Sequence, residues 1–226
     1  MGDVALTKKD LQALSGIIYD SLFDSHEVLK NFMYYFDSMV ELLTSLELPM
    51  VWITPSGLVL TQSYTKFTKY DITTAIRGIK PKKITLRKPF INKEGNYVID
   101  KSKQMNAFIP NFIHSFDAAH IVLILRKIEM SFKFNIMTIH DCFGTQANNA
   151  ELLAEIVKEC FIKMYFDKDC VNYFHDHILN YIKLNYHVNG NKVIGKNGVE
   201  FIIPNKPNIG ELEINKVLPY STTFTS

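Results

Sequence analysis

The stretch Ile136-Met137-Thr138-Ile139-His140-Asp141-Cys142-Phe143-Gly144-Thr145 decides how this chain reads. An apolar run of β-branched and long side chains enters a His-Asp pair, and a glycine follows three residues after the acid. The run predicts a buried strand, and Gly144 a place where the chain reverses. Asp141 then sits at or near a hairpin bend, its carboxylate facing solvent while its neighbours anchor in the core. An acid held rigidly at such a bend is how a protein presents a ligand to a hard cation such as Mg²⁺. A lone His-Asp pair after a strand is structural more often than catalytic, so the rest of the chain must supply the context.

Bulk properties limit that context. The 226 residues allow one large domain or two small ones, with enough chain for a sizeable core. Hydrophobic residues make up 47% and charged residues 21%, a globular balance that is neither disordered nor membrane-like. Lys and Arg number 25 against 23 Asp and Glu, a net +2, so any nucleic-acid contact must come from a local basic segment. Cys142, Cys160 and Cys170 are odd in number and lack CxxC spacing, which reads as reduced thiols. The apolar runs are too short and interrupted to span a bilayer. The first ten residues have neither the h-region of a signal peptide nor the arginines of a transit peptide. Leu6 stands where a myristoylation site after Met1-Gly2 needs Ser or Thr. Plentiful Ile, Asn, Lys, Phe and Tyr with little Arg reflect an AT-rich coding sequence, which points to an organelle, a plasmid or an AT-rich microbe.

Periodicity predicts helix from residue 7 to about 46. Thr7 and Asp10 form a capping box, Leu11, Leu14, Ile17, Ile18 and Leu22 follow at helical spacing, and Asp24 with Glu27 restarts or continues the helix. Leu29, Phe32, Met33, Phe36, Val40 and Leu43 make one stripe, read as core. Met50–Ile53 and Leu58–Leu60 flank the turn Thr54-Pro55-Ser56-Gly57, a β-hairpin. Residues 65 to 105 are mixed, with a strand at Ile84–Leu86 that Pro89 ends. Lys66, Lys69, Arg77, Lys80, Lys82, Lys83, Arg87 and Lys88 concentrate the local positive charge, with Tyr64, Phe67 and Tyr70 interleaved. A charge run is usually a solvated face, but aromatic interleaving also fits a surface that tracks a nucleic-acid backbone. Pro110 suits the first turn of a helix ending near Met130. Asn148 and Glu151 cap a further helix through Met164, and another spans about 169 to 185. Asn189-Gly190 and Asn197-Gly198 mark hairpin turns, and the tail from Pro204 runs over the surface with a short turn at 214 to 218.

Two His-rich clusters invite a metal reading and fail it. His114 and His120 lie about 120° apart on a helix at ~100° per residue, so they cannot easily share one ion. His175-Asp176-His177 has adjacent side chains pointing apart and reads as a solvated helix face. There is no Gly-rich phosphate loop and no nucleophile triad that spacing supports.

Three separated segments resemble the single-subunit, phage-type DNA-directed RNA polymerases, which also serve mitochondria, chloroplasts and organellar plasmids. Trp52-Ile53-Thr54-Pro55-Ser56-Gly57 with Gln62 and Tyr64 is similar to the family pattern W-x-T-P-x-G-x4-Q-x-Y. Ile99-Asp100, Lys103-Gln104 and Pro110-Asn111-Phe112-Ile113-His114-Ser115-Phe116-Asp117-Ala118-Ala119-His120 are similar to its P-N-F-x-H-S-x-D-x-x-H segment. His140-Asp141-Cys142-Phe143-Gly144-Thr145 is similar to its motif C, H-D-S-F-G-T. Order and spacing agree, and Gly210–Phe224 resembles the family C-terminus. The departures are Cys142 for Ser, Val59 for Pro, and an apparent hairpin insertion near 186 to 203.

The resemblance implies an α+β fold, the C-terminal palm and fingers portion of the polymerase, with helices packed on a small antiparallel sheet and residues 1–226 forming one unit. It implies that Asp141 is one of two metal-binding palm aspartates, that His140 beside it orients the site or the RNA end, and that His114 lies near the minor groove of the growing hybrid. With Lys66, Lys69, Lys82, Lys83 and Arg87 as backbone-binding cations, it further implies Mg²⁺ as cofactor and DNA template, RNA product and NTPs as partners, with no membrane and a mitochondrial setting. Two Mg²⁺ ions would support an in-line displacement, and one carboxylate is too few to hold both. The family's first metal-binding Asp (motif A) and its R-x3-K-x7-Y-G (motif B) lie N-terminal to everything here, and nothing in residues 1 to 50 matches either. Lys8, Lys9 and Tyr19 have the wrong spacing. The expectation is therefore a polymerase fragment silent alone, with a remnant of a plasmid gene, or a nucleic-acid-binding half of a split polymerase, as alternatives.

Overall fold

The computed structural model describes residues 7–74, 80, 82–167 and 170–208, with 166 and 167 by backbone alone. Arg77 and the predicted tail turn at 214–218 lie outside the described residues. The elements mix helices with short antiparallel sheets, an α+β arrangement. Among the described residues the sheets are four separate ones, three of two strands and one of three, rather than the single small sheet expected.

Helix α1 (Lys8–Asp24) starts on the predicted capping box, with Thr7 and Asp10 bonding each other's backbone. The chain breaks at Ser25 and His26, whose side chains bond back to the Ser21 and Leu22 carbonyls. Such back-bonding competes with continuation of the helix. Helix α2 (Glu27–Ser45) then buries Tyr35, Met39, Val40, Leu42 and Leu43, so the predicted stripe is core in its second half. Leu29, at its start, is exposed.

Strands β1 (Met50–Ile53) and β2 (Val59–Gln62) form the predicted hairpin. Its turn is closed by Thr54, whose Oγ1 accepts from the Leu58 amide at 3.2 Å, and by Gly57 at φ +92°, a conformation that favours glycine. Strands β3 (Phe67–Thr74) and β4 (Lys82–Pro89) pair in one long ribbon, and β4 ends at Pro89 as expected.

Helix α3 (Lys101–Ser131) corrects one boundary: it starts nine residues before Pro110, capped by the Asp100 side chain, and runs through the proline. Pro110 has no amide to give to the Asn106 carbonyl, a defect worth about 3 kcal/mol in a helix interior. Burial of Phe108 and Phe116 on either side offsets it. Contrary to the expectation of no spanning segment, α3 is long and apolar enough, by length and composition alone, to cross a membrane. Here it threads three core clusters, through Phe108, through Phe116 and Ala119, and through Ile124 and Ile128.

Strands β5 (Ile136–Ile139) and β6 (Cys142–Thr145) form the motif-C hairpin. Helix α4 (Ala150–Ile162) follows a short 3-10 turn; its N-cap is Asn149, without a side-chain bond, so the expected Asn148–Glu151 cap is not formed. Helix α5 (Cys170–Asn185) adds Phe174, Ile178 and Ile182 to the largest core cluster. In that cluster Phe36, Phe108, Phe112 and Phe174 pack in tilted and edge-on pairs with centroids 5.2–5.9 Å apart. The apparent insertion near 186 to 203 is the three-stranded sheet β7 (Val188–Asn189), β8 (Lys192–Ile194) and β9 (Glu200–Ile202). Its Val193 is fully buried in the same cluster, so it closes the core.

His175 is also not the solvated residue expected. Its Nδ1 is 2.9 Å from the Tyr35 hydroxyl, and burial pushes its pKa down and that of Tyr35 up. His177 is lowered by burial too, and its Nε2 is buried without a hydrogen-bond partner.

Candidate metal-binding hairpin and nucleic-acid cleft

The chain reverses at His140-Asp141, not at Gly144, which sits inside β6 opposite Met137. His140 has φ +53°, a conformation that most side chains disfavour and His tolerates better than most. The strands are not buried as predicted either: Met137 is 63% and Ile139 60% exposed. Only the Ile136 and Phe143 face packs, against Ile124, Leu153 and Ile156. The tip therefore stands out from the body with His140 and Asp141 both exposed. The group hydrogen-bonded to the Asp141 carboxylate is the Cys142 thiol, at 3.9 Å, so its oxygens stay open for a hard cation. Among the described residues no three His, Cys, Asp or Glu side chains cluster in a way that could hold a metal. Asp141 is therefore a single exposed carboxylate at the tip.

What aims this hairpin is His120, weighed above only as a metal ligand. Its Nε2 donates to the Val157 carbonyl at 2.9 Å, and its ring meets Phe143 edge-on at 6.1 Å. One side chain of α3 thereby ties β6 and α4 together, and an ion pair of Lys127 with Glu159 links α3 to α4 again two turns further along α3.

The first two motifs converge on a separate cleft of about 470 Å³, lined by Trp52, Leu60, Thr61, Gln62, Ser63, Tyr64, Asn111, His114 and Ser115. The buried Trp52 indole donates to Ser115 Oγ at 2.9 Å, and Ser115 donates to the Phe112 carbonyl at 2.6 Å. Gln62 and Gln104 exchange side-chain-to-backbone bonds at 2.9 and 2.6 Å, and Gln104 Oε1 accepts the Tyr64 amide at 3.1 Å. Asn111 Nδ2 donates to Gln62 Oε1 at 2.8 Å and to the Tyr64 hydroxyl at 3.2 Å. Almost every letter of the two patterns is thus a packing or hydrogen-bonding part. Of the polar letters His114 and Asp117 are exposed, and His114 stands on the rim of the cleft. A larger cavity of about 620 Å³ is lined instead by Tyr34, Glu41 and Phe201 and holds none of the motif residues.

These polar roles escaped the sequence reading, though a signal existed. Gln62 shares the inward face of β2 with Leu60, and Gln104 sits one turn before the core residue Phe108. A polar side chain on an apolar face marks a buried hydrogen-bond network.

The predicted basic surface is divided by the pleat of the β3–β4 ribbon. The register pairs Lys69 with Arg87 and Thr73 with Lys83, which puts these cations on one face with Phe67 and Asp71. Lys82 lies on the opposite face with Tyr70, Ile72, Ile84 and Leu86. The Tyr70 ring therefore does not interleave with Lys69 and Arg87. Lys83 is partly neutralised by Asp71 at 2.6 Å; bonds from Lys83 and Thr85 hold that carboxyl below the usual carboxylate range. Lys66 lies over the Phe90 ring at 5.9 Å, and Tyr64 is covered by Lys103 at 4.6 Å.

Residues 6–198 match the DNA-dependent RNA polymerase family, and the chain belongs to it. Among relatives, a probable DNA-directed RNA polymerase of Neurospora crassa is 44% identical over 185 residues, covering 81% of this chain and 20% of the relative. One from Gelasinospora sp. (strain G114) is 30% identical over 226 residues, covering 95% of this chain and 25% of the relative. The mitochondrial DNA-directed RNA polymerase 1 of Arabidopsis thaliana is 27% identical over 146 residues, 65% of this chain and 13% of the relative. The chain thus spans a quarter or less of each of these three.

Proposed function

We propose that this chain is the motif-C-bearing portion of a single-subunit RNA polymerase, acting in template-directed transfer of nucleotides from NTPs onto RNA. The observation that carries the reading is Asp141, exposed on a two-residue bend with open carboxylate oxygens and anchored from behind by His120 and Phe143. Asp141 would hold Mg²⁺ as one of two aspartates, and His140 beside it would orient the RNA end. When bound, the metal would lower the pKa of an attacking hydroxyl and neutralise developing phosphoryl charge. The work of the chain itself is positional. The Trp52–Ser115 and Gln62–Gln104–Asn111 bonds fix the start of α3 so that His114 faces the cleft, where it would meet the minor groove of a hybrid. Lys69, Lys83 and Arg87 on one ribbon face, with Lys82 on the other face and Lys66 just before β3, would track a nucleic-acid backbone.

In this reading residues 1–226 are one unit organised by α3, part of the palm with adjoining fingers, and the setting is mitochondrial, as the name of the Arabidopsis relative states for that protein. The other aspartate belongs to polypeptide outside this chain, so the isolated chain is silent. Primer extension with Mg²⁺, template and NTPs should give no product from the chain alone; template-dependent synthesis by it would overturn the reading. A nucleic-acid-binding half of a split enzyme is the second reading, favoured by the Lys69–Arg87–Lys83 face. It predicts salt-sensitive affinity for an RNA–DNA hybrid, with the slope of log K against log salt reduced by roughly 0.7–0.9 for each cation neutralised.

A further inference from the structure

Helix α1 is amphipathic in a way its surroundings do not use. At ~100° per residue, Leu11, Leu14, Ile17, Ile18 and Leu22 fall within an arc of roughly 140°. Each is between 46% and 66% exposed. The helix's one buried residue is Phe23, which lies off that arc with the Tyr19 ring 4.3 Å from its own. The last turn therefore ties α1 to the body, and the capping box at Thr7 specifies its start. Neither end needs the stripe, which stays open between them. A stripe of this spacing is the footprint of a helix that lies against another apolar element.

Three observations say what covers it. The family match begins at residue 6, so α1 is part of the shared fold and not an appendage. The chain spans 20% of the Neurospora relative and 25% of the Gelasinospora one, so three-quarters or more of each lies outside it. The polar arc of α1 sets Asp20 and Asp24 against Lys8 and Lys9, without the cationic excess that an anionic lipid surface attracts. We infer that the Leu11–Leu22 stripe is the seam along which the remaining polymerase polypeptide packs, with an apolar helix or strand laid over it. This rests on the polymerase reading above and adds to it the surface through which the pieces join.

The test co-expresses the full 226-residue chain, tagged, with the part of the Neurospora polymerase outside the aligned segment. Co-purification, light scattering and titration read the complex. A one-to-one complex is expected, weakened at least tenfold by Leu14→Lys with Ile18→Lys and unaffected by Ile18→Leu or the polar-arc change Gln12→Lys. Circular dichroism and melting of the double variant alone should match the wild type, because both side chains are already exposed. No complex with the wild type, or one the double variant leaves intact, overturns the seam. So does self-association of the chain that the double variant abolishes, which gives the stripe to a second copy, or stripe-dependent binding to phosphatidylserine vesicles. A complex that forms through the stripe but synthesises no RNA sinks the polymerase reading and keeps the seam. Undiminished RNA synthesis with the double variant does the reverse.

Discussion

The cleft built by the first two motifs and the hairpin built by the third are opposites. In the cleft Trp52, Gln62, Gln104 and Ser115 are buried and bonded to one another, and His114 alone of the singled-out site residues stands free. On the hairpin both candidate residues are exposed, and what is buried is the single face that anchors them. The same kind of sequence signature therefore encodes two things. One set of letters fixes where α3 begins, and the other offers a carboxylate. A motif residue is a candidate for chemistry only when the fold leaves its polar atoms unspent.

That contrast breaks most readily in the cleft. Gln104→Leu keeps the side-chain volume but strands the buried Gln62 carbonyl, at about 1–3 kcal/mol, and leaves the part-buried Tyr64 amide without its partner. Denaturant unfolding should show the loss, the largest expected here. A loss under about 0.5 kcal/mol would mean that the network is not structural.

His120→Ala comes next, because it removes a hydrogen bond worth about 1 kcal/mol and the ring behind Phe143. Amide exchange should rise in residues 136–145 while the cleft stays protected. Equal loosening of both regions would erase the distinction.

A pH effect separates a third region. Burial lowers the pKa of His175 and His177, so the unfolded chain takes up protons first as the pH falls. Their contribution is present above the unfolded value near 6.5 and is lost as the pH drops toward the folded values. The urea midpoint should fall over that window, less so in His177→Gln. A midpoint that rises on acidification would contradict the buried-neutral assignment.

Asp141→Asn should be the smallest effect, within about 0.5 kcal/mol of wild type, as for an exposed group without structural bonds. A loss of 2 kcal/mol or more would place Asp141 among the structural letters.

The sequence made some of this legible and concealed the rest for identifiable reasons. The Thr7–Asp10 cap, the Thr54–Gly57 turn and the Asn-Gly turns are local devices, set by neighbours three or four residues apart, and they stand where expected. Pro110 misled because its cost is local whereas the burial of Phe108 and Phe116 that overrides it is not. Periodicity in α1 announced an apolar stripe but carries no information on what covers it. The mixing of Tyr70 with Lys69 and Arg87 vanished once the register set alternate residues on opposite faces. For the site, the exposed bend at Asp141 was readable from the residues around it. The structural role of His120 was not legible because its partners, the Val157 carbonyl and Phe143, are distant in sequence.

The central claim is that Asp141 is half of a metal site completed by polypeptide outside this chain. Its most direct test is template-dependent nucleotide incorporation by the chain combined with the remaining Neurospora polypeptide, comparing wild type with Asp141→Asn at equal complex yield. The account predicts Mg²⁺-dependent synthesis from the wild-type pair, none from either piece alone, and a loss of at least about a thousandfold with Asp141→Asn, the size expected for removing a charge-stabilising group in the transition state. Synthesis that Asp141→Asn leaves within tenfold of wild type would contradict it.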